Sequence, residues 1–291
     1  MKATELGVLT LAIPKDYKKA IALALTLNEH SPGLPISIAV PAHVIPLLEP
    51  YKHLFDKIIT QRSDLKGFEQ KLYLDEYSPY QKTFFFDADI LILKDIRPII
   101  ARWSGSDYAV RGELTDGGVS AFGLDRQFTL NLIGKKLFSM IDGAGHAYFE
   151  KPGCQHVFNK AREVLSEYDM YQTEKFADED AVGIAMTMLD IVPKKNDGFL
   201  GSPWCAINDS FKIDTDKSNC SYDDLVHGHV EPYAIHFPIL AQPMIYAREL
   251  RKTYKRNGIR VNGIWIQAFK EYVRFNVYYP LADVRRKILN Y

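Results

Sequence analysis

The chain has 291 residues, with 36 Lys+Arg against 36 Asp+Glu, 47% hydrophobic and 25% charged residues. This balance excludes a disordered or collagen-like chain, and no apolar run approaches the roughly 18 residues that a membrane-spanning helix needs. The length suits one large α/β domain with room for a small appendage.

Residues 6–13 are apolar between Glu5 and Pro14-Lys15, with no small-residue cleavage site, and read as a first core strand, not a signal peptide. Residues 16–30 predict a helix with Asp16 at its N-cap and Ser31-Pro32-Gly33 as its stop. A second strand is expected at 35–40, a helix around 43–55, a third strand at 57–60 and a helix over 68–77. The apolar run 84–93, led in by Lys82-Thr83, comes next and is interrupted only by Asp87 and Asp89. Beyond it, short strands are expected at 108–111 and 119–123, then helices at 128–140, 155–168 and 178–189. Strands at 191–193 and 233–237 follow, and helices at 248–257 and 264–277 close the chain. Alternating strands and helices predict an α/β fold, a mostly parallel sheet covered on both faces, with a C-terminal helical extension.

The interrupted run carries the chemistry. Asp87 and Asp89 stand one residue apart where a core strand ends or turns, flanked by aromatic and β-branched residues that loops rarely carry. Ionised carboxylates are costly to bury without a partner, and a hard divalent cation shared with substrate phosphates is a fitting one. In parallel sheets, ligands bind outside the carboxyl ends of the strands, which also places Tyr17 where its ring can stack on a flat base; alternatively it is a half-buried tyrosine opening an amphipathic helix. From Arg248 onward, eleven Lys/Arg face three acidic residues, interleaved with aromatics such as Tyr254, Trp265 and Phe269. Such a segment suits a phosphate-rich surface, membrane or nucleic acid, or else packs its aromatics on the domain and turns its charges to water. The odd count of three cysteines, without C-x-x-C spacing, predicts reduced thiols in a cytoplasmic protein, with peripheral membrane contact through the tail. His227-Gly228-His229 reads as a loop with two solvated histidines before it reads as a metal pair.

Taken in order, these pieces resemble a glycosyltransferase of the GT-A fold, a Rossmann-like nucleotide-sugar fold. The family most resembled is family eight, the retaining group that includes glycogenin and bacterial lipooligosaccharide galactosyltransferases. Asp16-Tyr17 is similar to the pair that holds the uracil. Gln70-Lys71-Leu72 ahead of the Asp87-Ala88-Asp89 strand resembles the family's lysine helix, and Lys71 becomes a donor-binding candidate. Asp116-Gly117-Gly118-Val119 stands in the place of an Asn-Ser/Ala-Gly-Val turn, which puts Asp116 against the sugar. Asp178-Glu179-Asp180 resembles an Asp-Gln-Asp helix start. The resemblance therefore implies Asp178 on the sugar hydroxyls and Glu179 beside the reacting carbon, as nucleophile or as electrostatic stabiliser. Ala234-Ile235-His236-Phe237 is similar to the strand whose histidine completes a metal site with Asp87 and Asp89.

The resemblance implies Mn²⁺ or Mg²⁺ as cofactor and a UDP-sugar as donor, with residues 1–247 as the transferase domain and 248–291 as a basic helical extension. The acceptor is left open among glycan, lipid-linked glycan, protein and modified nucleic acid. The chain departs from the family after His236, where Ile239 replaces a glycine and Gln242 replaces the phosphate-binding lysine. Two other classes compete: a haloacid dehalogenase-like phosphatase with Asp87 as nucleophile, and a nucleic-acid or membrane-surface binding module led by the basic tail.

Overall fold

The computed structural model describes residues 5–143, 145–173, 175–238 and 242–278. They fall into two compact units. The first gathers Met1–Tyr17, Gly33–Ala88 and Arg97–Asn196, and the second Lys18–Pro32, Asp89–Ile96 and Asp197–Tyr291.

In chain order the strands are β1 (Leu6–Leu11), β2 (Ile36–Val40), β3 (Ile58–Thr60), β4 (Lys82–Asp87), β5 (Ile90–Ile92), β6 (Tyr108–Ala109) and β7 (Gly112–Thr115). They continue as β8 (Phe138–Ile141), β9 (His146–Glu150), β10 (Leu200–Gly201), β11 (Lys212–Asp214), β12 (Asn219–Asp224), β13 (Gly228–Val230) and β14 (Ala234–His236). The α-helices are α1 (Tyr17–His30), α2 (Ile45–Leu48), α3 (Leu74–Tyr77), α4 (Arg97–Trp103) and α5 (Arg126–Ile133). After these come α6 (Gln155–Ser166), α7 (Asp178–Met188), α8 (Pro243–Arg256) and α9 (Ile264–Val273).

The first unit is built on a six-stranded sheet in the order β3-β2-β1-β4-β9-β6. The β1, β2, β3 and β4 pairings are parallel, whereas β9 runs antiparallel to both β4 and β6. Phe84, Phe85 and Phe86 are all fully buried, which is why β4 reads as a continuous apolar run and not as an alternating one. Tyr80 lies so close to β1 that a Cβ on Gly7 would meet its ring at 2.4 Å. Its hydroxyl shares a 2.7 Å hydrogen bond with Ser37 of β2.

Several elements differ from the sequence-based expectation, each for a local reason. The helix expected around 43–55 is split into 3₁₀ turns and the four-residue α2, because Pro46 and Pro50 have no N–H to donate. The helix expected at 68–77 opens as a 3₁₀ segment, Gly67–Tyr73, before α3. The helix expected at 128–140 stops at Ile133, where Gly134 takes the left-handed C-cap conformation at φ 68°, and Phe138–Ile141 leaves as a strand against β7. Residues 119–123 form a turn closed by a bridge between Val119 and Asp125, with Gly118 at φ 89°, a value that favours glycine. Residues 191–193 are not a strand; Lys194 bridges Arg111 instead.

The second unit has a three-stranded sheet, β10-β14-β5, and an antiparallel meander, β11-β12-β13. Helix α1 is enclosed along its middle, with Ala20 through Leu27 buried on every side. Thr26 links it to the sheet by accepting from the Ile92 N–H at 3.1 Å. Helix α8 buries Tyr246, Leu250 and Tyr254, and its Glu249 is fully enclosed. That carboxylate accepts from the Thr215 N–H and hydroxyl, both at 2.9 Å, and pairs with Arg248 at 2.7 Å and Lys252 at 3.2 Å. In this part of the tail the aromatics therefore pack inward, while Ile266, Phe269 and Tyr272 of α9 are exposed. Residues 279–291 of the expected extension lie outside the described residues. Among the described residues no helix is long and apolar enough to cross a membrane. Cys154, Cys205 and Cys220 form no disulfide, and Cys154 and Cys220 are buried.

Candidate functional site

Parallel pairing of β1 with β4 sets Leu11 opposite Asp87, so Asp87 stands at the carboxyl edge of the sheet and the loop after β1 leaves from the same edge. Lys71, from the 3₁₀ segment ahead of α3, donates to Asp87 Oδ2 at 2.9 Å and lies 3.3 Å from Asp178 Oδ2. The rings of Phe68 and Phe85 flank the ammonium at 5.6 and 5.7 Å. Burial pulls the pKa of Lys71 down, but Asp178 and Asp87 together outweigh it, and the net shift is upward. This lysine is a fixed cation at neutral pH.

Asp178 is buried in the first turn of α7, beside open helix N–H groups that favour a carboxylate. Burial raises its pKa, and Lys71 opposes the rise. Asp180, two residues on, accepts from the Ser120 hydroxyl at 2.7 Å, and Ser120 accepts from the N–H groups of Phe122 and Leu124. The turn that contains Gly118 is thereby anchored to the helix that carries Asp178. A cleft lined by Lys71, Phe85, Tyr108, His146, Asp178 and Glu179 opens at this place. Glu179 is partly buried there, whereas Asp116 is exposed and lies outside the lining. Asp16 and Tyr17 are half-buried where the loop after β1 enters α1. Burial, and then Tyr51, raise the pKa of the Tyr17 phenol.

In the second unit, β14 runs antiparallel to β5 with His236 opposite Ile90, and the Phe237 N–H donates to the Asp89 carbonyl at 2.9 Å. This ladder brings His236 Nε2 to 3.2 Å from Asp89 Oδ1. Lys19 Nζ lies 3.7 Å from Asp89 Oδ2 and 4.0 Å from Glu271 of α9, and sits 5.9 Å from the Tyr246 ring centroid. Gln242 is exposed at the N-cap of α8 with φ 56° and makes no side-chain cap. Ile239 lies outside the described residues. His229 is exposed and pairs with Asp223 at 3.0 Å. Asp87 belongs to the first unit and Asp89 to the second, but only Ala88 separates them along the chain. Trans peptide geometry alone keeps their Cα atoms within about 7.6 Å.

The pattern of the sequence did not point to Lys19, Tyr108 or His146. Lys19 left one signal, a charged residue opening the buried stretch of α1. Tyr108 and His146 left none, because each sits on a short strand of the β9–β6 pair whose partners are remote in sequence.

No protein-family model matches this chain, and no curated protein matches it in sequence. Solved structures do. An active-site glutamine-to-glutamate mutant of LgtC aligns over 90% of this chain and 99% of its own, at TM-score 0.56 and 14% identity. The galactosyltransferase LgtC in complex with donor and acceptor sugar analogs aligns over the same shares, at TM-score 0.53 and 13% identity. The apo bifunctional glycosyltransferase WbbM aligns over 87% of this chain and 52% of its own, at TM-score 0.50 and 12% identity. The structural neighbours are thus glycosyltransferases of the GT-A fold, and the fold expected from the sequence is the one the chain has.

Proposed function

We propose that this chain, whose fold is that of the GT-A glycosyltransferases, is a metal-dependent, retaining glycosyltransferase that moves a sugar from a UDP-linked donor to an acceptor hydroxyl. The Asp89–His236 pair carries the assignment, because a sheet register brings an imidazole from far along the chain to one carboxylate of the D-x-D. Two carboxylates and an imidazole, Asp87, Asp89 and His236, are a donor set that fits Mn²⁺ or Mg²⁺. The chemistry such an ion supplies is neutralisation of the departing diphosphate.

The chain's own groups do the rest. Lys71 holds the Asp87 and Asp178 carboxylates in place and opposes the rise that burial gives the Asp178 pKa. Asp178 then accepts from the sugar hydroxyls. Glu179, in the same helical turn, faces positive charge developing at the reacting carbon and stabilises it, or bonds to it as a nucleophile. Tyr17 stacks on the uracil and Asp16 accepts from it. Gln242 offers an uncharged hydrogen bond to the phosphates, and Asp116 reaches the sugar from its turn. The basic segment from Arg248 onward favours a phosphate-rich acceptor, such as a lipooligosaccharide or a hydroxylated nucleic-acid base. Hexosyl donors come before pentosyl donors in any screen, since LgtC is a galactosyltransferase.

Thermal unfolding with UDP, UDP-galactose, UDP-glucose and a UDP-pentose, with and without MnCl₂, tests the assignment. At a hundredfold excess over Kd, a native-state ligand adds about 2.7 kcal/mol, a rise in Tm of roughly 4–5 °C for a chain this long. The rise should need Mn²⁺ and disappear in Asp89→Asn. No shift with any nucleotide in a folded protein, together with phosphate release from simple phosphoesters, would replace the transferase by the phosphatase.

A further inference from the structure

The transferase assignment leaves the diphosphate short of one fixed cation. A departing nucleoside diphosphate carries roughly three negative charges at neutral pH, of which a divalent ion cancels two. Gln242 has no charge, and Lys71 is shared between Asp87 and Asp178.

We infer that Lys19 supplies the missing charge to the diphosphate, and that the two C-terminal helices hold it there; this rests on the transferase assignment. Lys19 is 5% exposed, in the first turn of α1. A buried ammonium is costly, and the helix dipole disfavours a cation at this end. The carboxylates of Asp89 and Glu271 and the face of Tyr246 offset that cost. Glu271 belongs to α9 and Tyr246 to α8. The neighbouring Lys18 is fastened in the same way: its ammonium donates to the Asn262 carbonyl at 2.7 Å, and its own carbonyl accepts from the Tyr254 hydroxyl. The first turn of α1 is thus clasped by the last described helices.

Charge then selects the ligand. With a divalent ion on Asp89, an ammonium 3.7 Å from the same carboxylate faces a second cation. An anion that binds both positive groups would relieve their repulsion, and a diphosphate is such an anion. Glu271 is the group that holds Lys19 before the diphosphate arrives, so it competes with the ligand.

Calorimetric titration in MnCl₂ with UDP and with uridine, on wild type, Lys19→Met, Lys19→Arg and Glu271→Gln, decides the matter. Loss of one charge-assisted contact should weaken UDP roughly tenfold or more in Lys19→Met and leave uridine unchanged. Lys19→Arg should stay within about threefold of wild type, because the charge is kept. Glu271→Gln should bind UDP about two- to threefold more tightly, since a competing carboxylate is removed. Wild-type affinity for UDP in a folded Lys19→Met protein overturns the role of Lys19 and spares the transferase assignment. Failure of wild type itself to bind UDP overturns both. Should Lys19→Met not fold, unchanged or weaker UDP binding by Glu271→Gln overturns the inference on its own.

Discussion

An ammonium shared between two carboxylates holds three side chains in one arrangement, and Lys71 is such a group. Its removal leaves Asp87 and Asp178 facing one another in a partly dehydrated cleft, with no cation between them. Lys71→Met should therefore lower stability by about 3–5 kcal/mol, the usual cost of taking one partner from a buried pair. A urea midpoint equal to wild type would show the bridge to be energetically idle. At this scale the sequence was legible where chemistry is local. The D-x-D marked itself by placing two charges in an apolar run, and the acidic first turn of α7 by placing three in a row. Lys71 was visible as a donor-binding candidate but not as the bridge to Asp178. That pairing depends on a tertiary contact between segments about a hundred residues apart, which no local spacing encodes.

At the scale of elements, α7 is the part that aims the carboxylates, and it is packed without slack. A Cβ on Gly183 would come within 2.9 Å of the Ser139 carbonyl oxygen and 3.1 Å of the Phe138 ring. Thr187 of the same helix accepts from the Ser139 N–H at 2.8 Å. Gly183→Ala should thus destabilise by about 1–3 kcal/mol through overpacking, although alanine in an open helix gains about 1 kcal/mol over glycine. Chemical denaturation measures the sign directly, and a stabilised variant would mean that α7 can shift on β8. This strand is also where helix–strand assignment from the sequence failed. The apolar spacing of α5 runs on past Gly134 into Phe138, so a single period spans both, and only the left-handed glycine separates them. Strand β9 was missed because its partners β4 and β6 lie some forty to sixty residues back in the chain. The parallel core was easier to see, since β1, β2 and β4 are largely buried on both faces and read as mostly apolar runs with no strict alternation.

On the scale of the whole molecule, the chain alternates between the two units in six segments, and one crossing falls between Ala88 and Asp89. A linear division into a domain and a tail is what composition reveals, because charge changes sharply near Arg248. Contacts between distant segments leave no such step in composition. The second unit needs α1, which holds Tyr254 through Lys18, and β5, which pairs with β14. A fragment of residues 197–291 lacks both and should show a coil-like circular dichroism spectrum with no cooperative melting. A cooperative transition in that fragment would mean that α1 and β5 are dispensable to the unit. The order of the six-stranded sheet has a further effect, on self-association. Its long strands are all interior, and its margins are β3, of three residues, and β6, of two. An extended segment of another molecule can add to a sheet only along a row of open amide and carbonyl groups, and margins this short present almost none. The folded protein is thereby shielded from strand-by-strand aggregation at the very sheet that carries Asp87.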